Sequence, residues 1–91
     1  MQIDLQLFSV LRECLPPGAE KGRTRVTLPE GASLADMIAE VGIDRHLNVA
    51  AQEVSTTAGW QVMVSGSYEP EMTRILKDGD RVQILPPMAG G

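Results

Sequence analysis

The sequence predicts an α+β fold: a mixed sheet of four or five short strands, covered on one face by a single main helix. Three observations carry that prediction. Two-residue alternation of apolar and polar side chains opens the chain at 2–8 and returns at 23–28 and 81–85. One segment, 33–42, has helical periodicity together with its own start and stop signals. The 91 residues, 43% of them hydrophobic, suffice for one core and leave no room for two.

The elements follow in order. Gln2 to Phe8 puts Ile3, Leu5 and Leu7 on one side of an extended chain and Gln2, Asp4 and Gln6 on the other, as a strand with one buried face requires. Ser9 is a suitable cap for a short helix carrying Val10, Leu11 and Cys14, which Pro16-Pro17-Gly18 then ends. Arg23 to Leu28 alternates again, with Thr24, Val26 and Leu28 opposed to Arg23, Arg25 and Thr27, and Pro29-Glu30-Gly31 breaks it. In the main helix Ser33 is the N-cap, and Asp36 three residues later completes a capping box. Leu34, Met37, Ile38 and Val41 form one apolar stripe, and Gly42 supplies the residue expected just past the end. A domain this small needs that stripe to cover its sheet.

The stretch from Ile43 to Gly59 has weak periodicity and reads as irregular, with a short helix around Arg45 to Ala51. Trp60 to Ser65 returns to strand character, and Gly66-Ser67 turns into a brief strand near Tyr68. Met72 to Leu76 is a connector. Lys77-Asp78-Gly79-Asp80 is a tight turn, because glycine tolerates positive φ and aspartates bond nearby backbone amides. Arg81 to Leu85 is the last strand, with Val82 and Ile84 facing away from Arg81, Gln83 and Leu85. This order is compatible with a β-grasp architecture, in which the helix links two hairpins and the final strand joins the sheet centre. Periodicity by itself leaves the topology open.

Composition excludes several functions. A formal net charge of −4 argues against non-specific binding to nucleic acid or anionic membranes. The chain opens without a signal-peptide pattern and has no apolar run of membrane-spanning length, so a cytoplasmic location is expected. Cys14 is the sole cysteine and allows no internal disulfide; it reads as a packed thiol. His46, the sole histidine, reads as an ordinary loop or short-helix residue, and the two together make a poor zinc set. Asp78-Gly79-Asp80 lacks the twelve-residue ligand spacing of a calcium loop. No acid–base pair or activated nucleophile can be assembled, which disfavours a stand-alone enzyme.

What remains is the end of the chain. Pro86-Pro87-Met88-Ala89-Gly90-Gly91 sheds its side chains step by step, dividing the sequence into a β-grasp domain, 1–85, and a flexible Gly-Gly tail, 86–91. The run from Leu76 to Gly91 combines an acidic glycine turn, an apolar strand, a proline-containing exit and a terminal Gly-Gly. It resembles the closing pattern of the MoaD/ThiS sulfur-carrier family, which is ubiquitin-like in fold. Phe8-Ser9-Val10-Leu11-Arg12-Glu13 resembles the first helix of MoaD, the small subunit of molybdopterin synthase, and points to that branch. The chain departs from the family in having Ser65-Gly66 where an Asn-Gly turn is common, and 43–59 matches no part of the pattern.

The resemblance implies that Gly91 acts through its carboxylate, which a partner adenylates and converts to a thiocarboxylate, with Gly90 threading the same channel. Leu85, Pro86, Pro87, Met88 and Ala89 would contact that partner. It implies no bound metal or cofactor, ATP being used by the activating partner. The implied partners are an adenylating enzyme of ubiquitin-activating-like fold and either a molybdopterin synthase large subunit or a thiazole synthase, with no nucleic acid and no membrane. The favoured destination of the sulfur is a pterin precursor, in molybdopterin (molybdenum or tungsten cofactor) biosynthesis. A ThiS-like carrier for thiamine thiazole synthesis, a ubiquitin-like protein modifier and a non-conjugating binding module are the alternatives.

Overall fold

The alternating segments fold as one five-stranded sheet, in the order β2-β1-β5-β3-β4, in a computed structural model that describes residues 1–87. Strand β1 spans Gln2–Leu7, β2 Arg23–Thr27, β3 Gln61–Val64, β4 Ser67–Tyr68 and β5 Arg81–Leu85. The last strand lies at the centre, parallel to β1 and antiparallel to β3. The outer pairs, β1 with β2 and β3 with β4, are antiparallel hairpins. This is the β-grasp arrangement, and the sheet is mixed as expected.

Alternation decides which side chains are buried. Ile3, Leu5 and Leu7 from β1, Val82 and Ile84 from β5, and Val62 and Val64 from β3 are all buried. Their register partners on neighbouring strands line up on the same face. Helix α1, Leu34–Val41, lays Leu34, Met37 and Ile38 into this core. Burying one such side chain fully stabilises the fold by about 1.5–3 kcal/mol, so the stripe is the main reason the helix stays docked. Both arms of the capping box form: Asp36 N–H donates to Ser33 Oγ at 3.1 Å, and Ser33 N–H to Asp36 Oδ2 at 2.9 Å. Gly42 closes the helix in the left-handed conformation, φ 93°. The connector 72–76 is fastened to the helix start, where the Leu34 and Ala35 N–H groups donate to the Arg74 and Met72 carbonyls.

Two local expectations are corrected. Ser9 does not cap its helix. The element is a 3-10 helix, Ser9–Cys14, whose N-cap position is Phe8, and Ser9 itself sits inside it at φ 57°. Six residues between a strand and Pro16-Pro17, with Leu11 as the one buried anchor, favour i→i+3 bonding over an α-helix. The stretch 43–59 holds two short helices, α2 at Ile43–Leu47 and α3 at Glu53–Thr56. A single helix over 45–51 would have to run through Asn48, which instead closes α2 in the left-handed conformation at φ 57°. Gly42 ends α1 and begins α2 at once. Each short helix buries one side chain, Ile43 or Val54, which leaves no stripe for periodicity to reveal.

The β3–β4 hairpin turns on Ser65 and Gly66, both at positive φ (48° and 89°), as a two-residue loop of the twist-matching kind requires. Serine takes the conformation asparagine more often supplies. It also ties the hairpin to β5: its N–H donates to the Arg81 carbonyl at 2.7 Å, and its hydroxyl to Asp80 Oδ1 at 3.3 Å.

Candidate functional site: the root of the C-terminal arm

The chain reaches its tail through β5, and the start of that strand is firmly held. In the turn 77–80, the Lys77 N–H donates to Asp80 Oδ2 at 2.8 Å and the Asp80 N–H to the Lys77 carbonyl at 3.0 Å. Gly79, at φ 87°, supplies the left-handed step. The turn is stitched to β1 as well. Gln2 N–H donates to Asp78 Oδ1 at 2.7 Å, Gly79 N–H to the Gln2 carbonyl at 2.8 Å, and Asp4 N–H to the Asp80 carbonyl at 2.9 Å. Asp80 accepts from a nearby backbone amide as expected of the turn, whereas Asp78 accepts from the distant Gln2 amide on β1.

Beyond the turn, Val82 and Ile84 lock β5 into the core, while Leu85 is half-buried and pairs with Gln61 of β3. Pro86 and Pro87 follow outside the strand and are exposed. Neither has an N–H, so the ladder has no donor with which to continue. Pro87 lies over Gly59: a Cβ placed on that glycine would stand 3.6 Å from Pro87 Cβ and Cγ. The next residue, Trp60, is buried and donates its N–H to the Val54 carbonyl at 3.1 Å. Gly59, at φ 78°, is the residue that sequence reasoning missed. No local signal marks it: what sets it apart is its place under Pro87, which is distant in sequence. Of the predicted site residues, Leu85, Pro86 and Pro87 are brought together here; Met88, Ala89, Gly90 and Gly91 lie outside the described residues.

The open face of the sheet runs back from this root. Gln83 Nε2 donates to Gln6 Oε1 at 2.9 Å. A depression of about 450 Å³ is lined there by Asp4, Gln6, Arg23, Thr24, Arg25 and Arg81 among others. Other reactive groups offer little chemistry. Burial, and then the neighbouring Glu13, push the Cys14 thiol above its ordinary pKa, which makes it a weak nucleophile at neutral pH. His46 is exposed in the last turn of α2. Among the described residues no three His, Cys, Asp or Glu side chains cluster as a metal site, and no helix is long and apolar enough to cross a membrane.

Solved structures share the architecture. The chain is similar to a candidate molybdopterin converting factor subunit 1 from Pyrococcus furiosus, with a TM-score of 0.64 at 24% identity over 96% of this chain and 98% of that one. It is similar to small archaeal modifier protein 1 of H. volcanii, with a TM-score of 0.65 at 19% identity over 96% and 98%. A third likeness, with a TM-score of 0.57 at 16% identity over the full length of both chains, is to a protein from Helicobacter pylori 26695. That structure is a complex of subunits 1 and 2 of molybdopterin-converting factor. At these identities the likeness establishes the ubiquitin-like fold. Among curated proteins none matches. The family model described as "ThiS family" matches residues 5–91, nearly the whole chain and including the arm. The chain belongs to the ThiS family.

Proposed function

We propose that this protein is a sulfur carrier whose body, residues 1–85, presents the arm 86–91 to partner enzymes. The observation that carries the reading is the asymmetry of β5: a central strand pinned at its start, which leaves the sheet at Leu85 through two exposed prolines. An extended arm rises about 3.1 Å per residue, so six residues reach roughly 19 Å into a partner. Gly90 and Gly91 have no Cβ and fit a narrow channel at any φ the partner imposes. Leu85, Pro86, Pro87, Met88 and Ala89 form the contacts behind them.

The chemistry belongs to the partner. A free carboxylate resists nucleophiles because it is anionic and a poor source of a leaving group. A carboxylate oxygen of Gly91 attacks the α-phosphorus of ATP and expels pyrophosphate, giving an acyl-adenylate. A sulfur nucleophile at the oxidation level of sulfide then adds to the carbonyl, and AMP departs, leaving a thiocarboxylate. The carrier itself supplies position, with no catalytic side chain and no bound cofactor, and works in the cytoplasm. The acceptor we favour is the pterin precursor held by a molybdopterin synthase large subunit. The likeness to a subunit 1 solved together with its subunit 2 supports this choice, with thiazole synthase as the other acceptor. A second reading, attachment of the same terminus to lysines of other proteins, is supported by the likeness to small archaeal modifier protein 1.

Incubation with an adenylating enzyme of ubiquitin-activating-like fold, ATP and a sulfur donor should raise the mass of the intact protein by the difference between sulfur and oxygen. Deleting Gly91, or adding one residue after it, should abolish the change and leave the melting temperature unaltered. Continued modification of the blocked terminus would sink the mechanism. Lysine-linked conjugates in extracts of the source cells would move the assignment to the modifier reading.

A further inference from the structure

Charge is segregated on the open face of the sheet in a way that the arm does not explain. Arg25 on β2, Asp4 on β1 and Arg81 on β5 stand in one register row across three adjacent strands. In a neighbouring row Arg23 stands opposite Gln6. Asp4 is the one carboxylate lining this depression. Its contact with Arg25 is long, 3.4 Å, and the two side chains are 57% and 68% exposed, so water screens the pair. Arg23 and Arg81 make no ion pair among the described residues. Three of the chain's eight basic residues thus share a face with one of its twelve acidic ones, on a protein whose net charge is −4. A random spread would have made this face acidic.

Arg81 and Leu85 lie on the same face of the same strand, at its two ends. Four steps of about 3.3 Å put the arginine row roughly 13 Å from the root of the arm. Any protein that swallows the arm to its base therefore lies within reach of the row. We propose that this arginine face docks against an acidic surface patch on the adenylating protein, roughly 13 Å from the mouth of its arm-binding channel. The proposal rests on the sulfur-carrier reading and adds to it the surface that orients the carrier. Guanidinium groups match carboxylates as two-pronged donors, and a complementary rim raises the rate of encounter. A nucleic acid is the poorer occupant, because the rest of the chain is acidic and repels a polyanion.

The test measures ATP–pyrophosphate exchange, dependent on the carrier, with whichever adenylating enzyme of the source organism modifies the intact chain. For Arg23→Glu combined with Arg25→Glu, KM for the carrier should rise at least tenfold at low salt while kcat stays within twofold. The difference should shrink between 50 and 400 mM salt, since screening removes what the mutation removes. Arg23→Gln with Arg25→Gln should give a smaller rise, and circular dichroism checks that both variants fold. Restoration of KM by replacing acidic residues of the enzyme with lysine would support the proposal directly. An unchanged KM for folded variants that are still adenylated would overturn the docking surface and leave the carrier reading intact. Binding of single-stranded DNA lost in the same variants, with KM unchanged, would overturn it in favour of nucleic acid. Failure of every enzyme to adenylate the wild-type chain would remove the carrier reading and this proposal together.

Discussion

The two ends of β5 are held in opposite ways. At its start, the turn 77–80 and its neighbours exchange hydrogen bonds with β1 and with the β3–β4 hairpin, so the strand is gripped from both sides. At its other end, Leu85 makes the last pairing and two prolines follow with no N–H to offer. Rigidity is placed at the body side of the strand. A central strand cannot shift without breaking two ladders, so the exit point of the arm is fixed relative to the body. Pro86 and Pro87, which leave that point, do not extend the ladder.

The strand is most sensitive at its middle. Ile84→Ala removes a fully buried side chain that packs between the β1 and β3 rows, and should destabilise the protein by about 2–5 kcal/mol. For a domain of this size that lowers Tm by roughly 10 °C or more. Calorimetry settles it, and a shift as small as that of a surface substitution would mean β5 is not the spine of the sheet. Asp78→Ala acts at the gripped end. It removes the acceptor of the Gln2 N–H, but the bond is exposed and water can replace it, so the expected loss is about 1 kcal/mol. Urea unfolding should show a lower midpoint with an unchanged slope.

These same elements explain what the sequence disclosed and what it hid. Helix α1 was legible to the residue, because its cap, stripe and closing glycine are all local signals. The strands were legible because a one-sided sheet imposes strict alternation. Helices α2 and α3 were not: each buries one side chain, and α2 is bounded by Gly42 and Asn48, both turning left-handed, rather than by an apolar stripe. The 3-10 helix misled for a similar reason, since Ser9 looks like a cap but adopts positive φ inside the element. At the arm, residue types announced the tail, whereas the placing of Gly59 under Pro87 juxtaposes distant parts of the chain in a way that no local pattern encodes. The arginine row was hidden too: Arg25 and Arg81 are far apart in sequence and meet only through the register of β1.

A smaller effect tests the loop that leads into the gripped end. The Arg74 guanidinium donates to Glu69 Oε1 at 2.8 Å, and the Glu71 N–H donates to Glu69 Oε2 at 3.0 Å. Those bonds, the arginine's first, hold the Glu69 carboxyl below its ordinary pKa. A lowered folded-state pKa means that the stabilisation is present above the unfolded carboxylate range and lost as pH falls through the folded value. Glu69→Gln should therefore lower Tm slightly at pH 7, with the gap to wild type closing in the acid range below pH about 4. A gap that stayed constant with pH would show that the loop does not depend on the charge.

The smallest stability effect is expected at the released end, and it is the one that most sharpens the contrast. Pro86→Ala and Pro87→Ala remove exposed rings whose backbone nitrogens bond nothing, so unfolding free energy should change by less than about 0.5 kcal/mol. Their effect should appear in docking. Alanine restores freedom that proline had already removed, and ordering that residue on binding then opposes association. KM for adenylation should rise a few-fold for each substitution, with kcat unchanged. Equal and substantial losses of stability in both variants would place the prolines in the fold rather than in the arm. The two ends of β5 would then differ in degree rather than in kind.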